Sequence, residues 1–189
     1  KKNRIYLETL KNYSALSIRD GVHSLFFPGG TRSRSGEIEQ RLKLGLLSTA
    51  IHAQRLHVEE HPDAPKKIFI VPVVINYHFV LEAPTLIDDY LKAAGKERYY
   101  YDKDELSSSY RIFKFLARFL TRSSQIALSF GHPMDVFGHP VDAEGRSLNK
   151  EGKPIDISGY FMQEGQVKPD LQREQEYTRM LAHYVAEAY

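Results

Sequence analysis

The stretch "IFIVPVVINY", Ile68 to Tyr77, constrains this chain more than any other. It is almost continuously apolar and rich in β-branched residues. That predicts a strand buried on both faces, as in a parallel sheet covered by helices. Pro72 in its middle removes one ladder donor, which predicts an edge or a bulge at that point. Upstream, "IYLETLKNYSALSIR" (residues 5–19) spaces Ile5, Leu7, Leu10, Ala15, Leu16 and Ile18 as a helix does. Asp20-Gly21 breaks it, and "HSLFF" reads as a short buried strand. A second helix is expected from Glu39 to His57, with Leu42, Leu46, Leu47, Ala50 and Ile51 facing inward. Strand, helix, strand at this spacing is the unit of an α/β fold, so the expectation is a mixed or mostly parallel sheet flanked by helices.

Farther along, "TLIDDYLKAAG" reads as a short helix ended by Gly95, and "KERYYYDKDE" as a charged, tyrosine-rich connector. "LSSSYRIFKFLARFLTR" reads as another helix and "QIALSFG" as another strand. From Gly131 to Ser158 the chain is rich in Gly, Pro and Asp, which predicts turns without a long packed core. The one internal repeat expected is the doublet His-Pro-Met-Asp and His-Pro-Val-Asp. The tail from Asp170 to Tyr189 is amphipathic, with Leu171, Tyr177, Met180, Leu181, Tyr184 and Val185 on one side.

With 189 residues, 42% of them hydrophobic, the chain suits one globular domain. A net charge of +2 argues against nucleic acid as a partner of the whole molecule, so any anion preference must come from local clusters. There is no cysteine, which excludes disulfides and thiolate metal sites. No apolar run is long enough to span a bilayer, and no signal-peptide pattern is present. A start on Lys1-Lys2 is expected of an internal piece of a longer protein.

Chemistry concentrates in "SLFFPGGTRSRSGE" (Ser24–Glu37). In an open α/β sheet, ligands sit beyond the carboxyl ends of strands, and this segment follows one. Gly29 and Gly30 let the backbone approach a ligand, and exposed N–H groups in such a turn form an anion-binding concavity. Thr31 can donate a hydroxyl hydrogen bond, and Arg32 can grip two phosphate oxygens at once. Arg34 either adds a second contact or points to solvent. "HPMDVFGHPVD" offers two histidines and two aspartates, which fit a metal or, better, turn chemistry. His52, His57 and His61 read as solvated helix and loop residues rather than ligands. Arg111, Lys114, Arg118 and Arg122 form a basic stripe opposite Ile112, Phe115, Leu116 and Phe119, as on a helix lying at an anionic membrane surface or docked on the sheet.

"FFPGGTRSRSG" resembles the third conserved block of the glycerolipid acyltransferase superfamily, F-P-E-G-T-R-S-R. "RLKLGLL" resembles the family's lysine-x-glycine helix start, and "IFIVPVVINYHFVLE" its fourth block, a strand with a central proline. "NRIYLETLKNYSALSIRDG" is similar to the helix linking the second and third blocks. The matches run in order through residues 1–82, leaving 83–189 as a C-terminal extension of one α/β acyltransferase domain portion. The fourth block leans toward the glycerol-3-phosphate acyltransferase branch. The resemblance implies transfer of a fatty acyl group from a thioester of coenzyme A or acyl carrier protein to glycerol 3-phosphate, in phospholipid biosynthesis. It implies no cofactor and no metal, and a peripheral place on the cytoplasmic face of a membrane, reached through Arg111, Lys114 and Arg118. Gly30, Thr31 and Arg32 match the block that holds the acceptor phosphate, with Arg34, Lys43 and Pro72 in support. Gly29 stands where the family has glutamate. The family's general base is a histidine with an aspartate five positions later, and no histidine of this chain has one. The nearest is His139 with Glu144. The pair is therefore expected upstream, and these residues alone should lack catalysis. The rival readings are a lysophosphatidate acyltransferase and an inactive phosphate- or lipid-binding module.

Overall fold

The computed structural model describes residues 3–29, 41–77, 91 and 126–188. The chain divides into two compact units. The described residues of the first are 3–29, 41–73 and 130–188, and those of the second are 74–77, 91 and 126–129.

Helix α1 spans Arg4–Arg19. It starts where Asn3 caps it, the side-chain oxygen accepting from the N–H groups of Ile5 and Tyr6. Helix α2, Leu44–Glu60, begins later than its periodicity suggests and runs three residues beyond His57. Helix α3, Leu171–Glu187, starts at Asp170, whose carboxylate accepts from the N–H groups of Gln172 and Arg173. Between α1 and α2, Ser14 Oγ lies 3.1 Å from Thr49 Oγ1 and Arg19 pairs with Glu60. Between α2 and α3, buried Arg55 bonds to Glu174 at 2.8 Å, and within α2 it bonds to Glu59 at 3.2 Å.

The apolar run at 68–77 folds differently from its expectation. Only Val73–Tyr77 forms a strand, β1, whose neighbour in a two-stranded sheet is β2, Ile126–Phe130. Before Pro72 the chain makes a single antiparallel bridge, Ile70 to Met134. Pro72 has no N–H to give, and its carbonyl accepts from Gly131 at 2.8 Å. Nor is the run buried on both faces, since Phe69 and Val71 are exposed while Ile68 and Ile70 face the core. His23–Phe27 is not a strand, because it has no ladder partner among the described residues, and Leu25 and Phe27 are exposed.

Among the described residues, two apolar clusters hold the first unit. One joins Ala50, Ile51 and Val58 of α2 to Val136, Phe137, Ile157 and Phe161. Phe137 is 2% exposed and lies 4.7 Å from the ring of Tyr160, 5.3 Å from Phe161 and 4.9 Å, edge-on, from Tyr177. The turn-rich stretch, expected to lack a packed core, thus supplies half of one. Buried Gln54 joins this core to the chain beside it, donating to Lys66 O and accepting from Ile68 N–H, both at 2.8 Å. The other cluster joins Leu47 and Met134 to Leu181, Ala182 and Val185 of α3. Leu171 and Met180, expected on the inner face of α3, are exposed.

The stretch from Met134 is a tandem array with a seven-residue period, longer than the expected doublet. Asp135, Asp142 and Asn149 each accept, through one side-chain oxygen, from the N–H groups two and four residues on. Three residues after each stands a glycine with positive φ, Gly138 at 89°, Gly145 at 77° and Gly152 at 74°. Each glycine N–H donates back to the carbonyl of the Asp or Asn. Antiparallel bridges Met134–Pro140, Val141–Ser147 and Leu148–Pro154 close the successive units. Bonds from Leu148 N–H to Pro140 O and from Ile155 N–H to Ser147 O link one unit to the next. Asp156 opens a partial fourth, accepting from Ser158 N–H before the 3-10 turn Ser158–Phe161. A short hairpin, β3 (Met162–Gln163) and β4 (Gln166–Val167), follows.

Candidate phosphate-binding site

Gly30, Thr31, Arg32 and Arg34 lie outside the described residues, as do His78 and the basic stripe Arg111, Lys114 and Arg118. The described residues on either side of 30–40 meet each other. Pro28 O accepts from Lys43 N–H at 2.7 Å, so the two flanks are tied directly together. Phe26 on one side and Leu42 and Leu44 on the other pack against Leu47, Met134, Leu181, Ala182 and Val185. Apolar side chains beside the junction therefore fix it to α2 and α3. Gly29 occupies a half-buried turn position just past it.

Lys43 is the N-cap of α2, with extended backbone (φ −80°, ψ 118°), and its side chain makes no capping hydrogen bond. Its side chain is exposed, while its backbone N–H donates to Pro28 O. A Cβ added at Gly45 would meet nothing within 4 Å, so the lysine-x-glycine pattern is not explained by crowding at that glycine. Pro72 is buried, and a Cβ on Gly131 would lie 3.3 Å from its ring. Its contacts are those of a packing residue.

The histidines divide by environment. His139 does not meet Glu144, which pairs with Arg146 at 3.1 Å. Its Nδ1 lies 3.0 Å from Oδ2 of Asp135, and its ring packs near Phe137 and Tyr160. An imidazole held by a buried carboxylate is the arrangement of a general base. Here, however, the same carboxylate closes the first turn of the array through the N–H groups of Phe137 and His139. Burial alone would raise the Asp135 carboxyl, but the hydrogen bonds it accepts, led by that of the His139 side chain, outweigh burial and hold the group below its ordinary value. The His-Pro-x-Asp doublet is turn chemistry, as its residues allow. His57 is buried, and burial, with the Lys66 charge beside it, pushes its imidazole down. His52 is lowered by burial and by Arg55, and His61 is exposed at the end of α2. Among the described residues no three His, Cys, Asp or Glu side chains converge to hold a metal, and no helix is long and apolar enough to cross a membrane.

The missed feature was the array, and its signal was in the sequence. Glycine recurs at 131, 138, 145, 152 and 159, and Asp or Asn at 135, 142, 149 and 156.

Comparison with known proteins gives the site its context. A glycerol-3-phosphate acyltransferase of Pseudomonas fluorescens (strain Pf0-1) is 30% identical over 134 residues, 71% of this chain and 14% of the relative. The protein of the same name from Ectopseudomonas mendocina (strain ymp) is 29% identical over 134 residues, with the same coverage of each chain. That of Haemophilus ducreyi (strain 35000HP / ATCC 700724) is 30% identical over 136 residues, 72% of this chain and 15% of the relative. The chain thus spans about 14% of the length of the curated relatives it matches. No family model matches it, and no solved structure matches it significantly. Over about 71% of its length the chain is thus similar to a part of proteins named glycerol-3-phosphate acyltransferase.

Proposed function

We propose, on this kinship with the glycerol-3-phosphate acyltransferases, that the chain is the acceptor-holding part of an enzyme that acylates glycerol 3-phosphate. The observation that carries the reading is the match over 71% of the chain, joined to the Gly-Gly-Thr-Arg segment. In the reaction the acceptor hydroxyl oxygen bonds to the thioester carbonyl carbon, the carbon–sulfur bond breaks, and the donor leaves as a thiol. This chain's share is to bind and orient. Backbone N–H groups at Gly30 and the Thr31 hydroxyl bond phosphate oxygens, Arg32 grips two of them, and Arg34 and Lys43 add positive charge. The donor is an acyl thioester of coenzyme A or acyl carrier protein. The α/β architecture of the acyltransferases is proposed for the domain as a whole. Arg111, Lys114 and Arg118 are proposed to meet anionic lipid, bringing the site to the cytoplasmic face of a membrane.

Acyl-transfer assays on the full natural polypeptide, with glycerol 3-phosphate and with lysophosphatidate, test this reading. Turnover of glycerol 3-phosphate is the expected result. Preference for lysophosphatidate would move the acceptor, and binding of either without turnover would leave the inactive lipid-binding module. Losing a charge-assisted bidentate contact, Arg32→Ala should raise the KM for glycerol 3-phosphate about tenfold or more. An unchanged KM and kcat would remove Arg32 from the site. Reversal of Arg111, Lys114 and Arg118 to glutamate should weaken binding to anionic vesicles in a salt-dependent way.

A further inference from the structure

We propose that His57 makes the end of α2 an acid-labile joint: with a neutral imidazole it holds α1 and the chain at 61–68, and with a protonated one it lets them go. His57 lies in the last turn of α2 and is 5% exposed. Its Nδ1 is buried and has no hydrogen-bond partner among the described residues. A buried polar atom without a partner costs free energy that an apolar side chain in its place would not, so packing alone does not account for a histidine here. The surroundings favour its neutral form. Arg19 of α1 and Lys66 of the following chain bring positive charge, as does His61 when protonated, and Glu60 opposes them. Burial is the largest influence and acts in the same sense as the cations. The imidazole is therefore held below its ordinary value, even at a helix C-terminus, where a cation is otherwise favoured.

The same end of α2 fastens both neighbours. Glu60 pairs with Arg19 at 3.1 Å, and Gln54, one turn before His57, holds Lys66 O and Ile68 N–H, both at 2.8 Å. A proton on His57 sets a buried cation beside Arg19 and Lys66, and opening this end to water relieves it. The sign follows from linkage. Above the ordinary imidazole value near ~6.5 His57 is neutral in the closed and opened forms alike, and the packing is complete. As pH falls below that value the opened form takes up the proton first, and the packing weakens. This window lies above that of the depressed carboxylates Asp135, Asp142 and Asp170, so the two effects separate.

Hydrogen–deuterium exchange of the full natural polypeptide, read by mass spectrometry from about pH 7.5 to about pH 5 and corrected for intrinsic amide exchange, tests the proposal. The expected result is a loss of protection over the last turns of α1 and residues 61–68 as pH falls. His57→Gln, neutral at every pH, should keep that protection. His61→Gln, at an exposed neighbour, should lose it as the unaltered protein does. Protection that stays constant in the unaltered protein, or the same loss in His57→Gln, would overturn the proposal, as would a His61→Gln variant without the loss. Should His57→Gln be unprotected already at the upper pH, exchange of the imidazole C2 proton in the unaltered protein decides. A midpoint for His57 below the ordinary ~6.5 supports the joint, and one at or above it overturns it.

Discussion

Helix α1 and the heptad array 134–161 reverse the usual association between regular structure and burial. Of the residues of α1 only Ala15 is buried, while Ile5 is 78% and Tyr13 72% exposed. The array consists of turns and isolated bridges, yet it places Val136, Phe137, Ile157 and Phe161 in the larger core cluster. The difference lies in where the backbone hydrogen bonds go. A helix satisfies its own and can form with little burial, whereas the array satisfies its turns through Asp and Asn side chains and is thereby free to turn its apolar residues inward.

The sharpest way to break the comparison is Phe137→Ala. It removes a side chain touching three aromatic rings and should cost about 3–5 kcal/mol in urea unfolding. A loss under about 1 kcal/mol would mean that the array is not part of the cooperative core. Next, Gly138→Ala and Gly152→Ala place a Cβ at the same turn position with similar φ. At Gly138 that atom would fall 2.1 Å from the Tyr184 ring, and at Gly152 it meets nothing within 4 Å. The expected losses are about 2–4 kcal/mol for Gly138 and about 1–2 kcal/mol for Gly152, the gap measuring the seat under Tyr184. Equal losses would leave backbone strain as the sole cost.

The pH dependence of stability gives a third test. Asp135 is fully buried and its folded carboxyl is depressed, so its contribution is complete above the unfolded carboxyl value near ~3.9. It is lost as pH falls through the lower folded value. Asp142 and Asp170 are depressed in the same direction, Asp142 chiefly by the Arg146 backbone N–H and Asp170 by that of Arg173. Urea midpoints measured from pH 6 downward should therefore fall in the acid range, and Asp135→Asn should flatten part of that fall. An unchanged slope in the variant would show that the buried carboxylate does not govern it. The smallest effect belongs to the helix. Tyr13→Ala on the exposed face of α1 should shift stability by no more than about 0.5 kcal/mol.

Among the described residues, α1 and α3 were the most legible helices, each joining a 3.6-residue pattern to a breaker or a cap, Asp20-Gly21 for α1 and Asp170 for α3. Burial was less so. Periodicity gives the apolar side of α1 but not whether anything lies against it. The Ile68–Tyr77 run was read as uniformly buried, whereas Phe69 and Val71 face outward ahead of the break at Pro72. The bond between Pro28 O and Lys43 N–H was not legible, because it uses no side chain that sequence reasoning can weigh. The array was missed for a related reason. Taken singly, glycine and proline mark irregularity, and the array shows only when glycine is counted at intervals of seven.

The period of the array also sets a reading frame in space. Each unit passes the chain to the next with Asp or Asn at its head and glycine three residues on, so phase matters more than length. Removing all of Asp142–Leu148 would bring Asn149 into the place of Asp142 and Gly152 into that of Gly145. Removing one residue from the same stretch would set every later unit out of step with its turn. The shorter deletion is therefore the more damaging one.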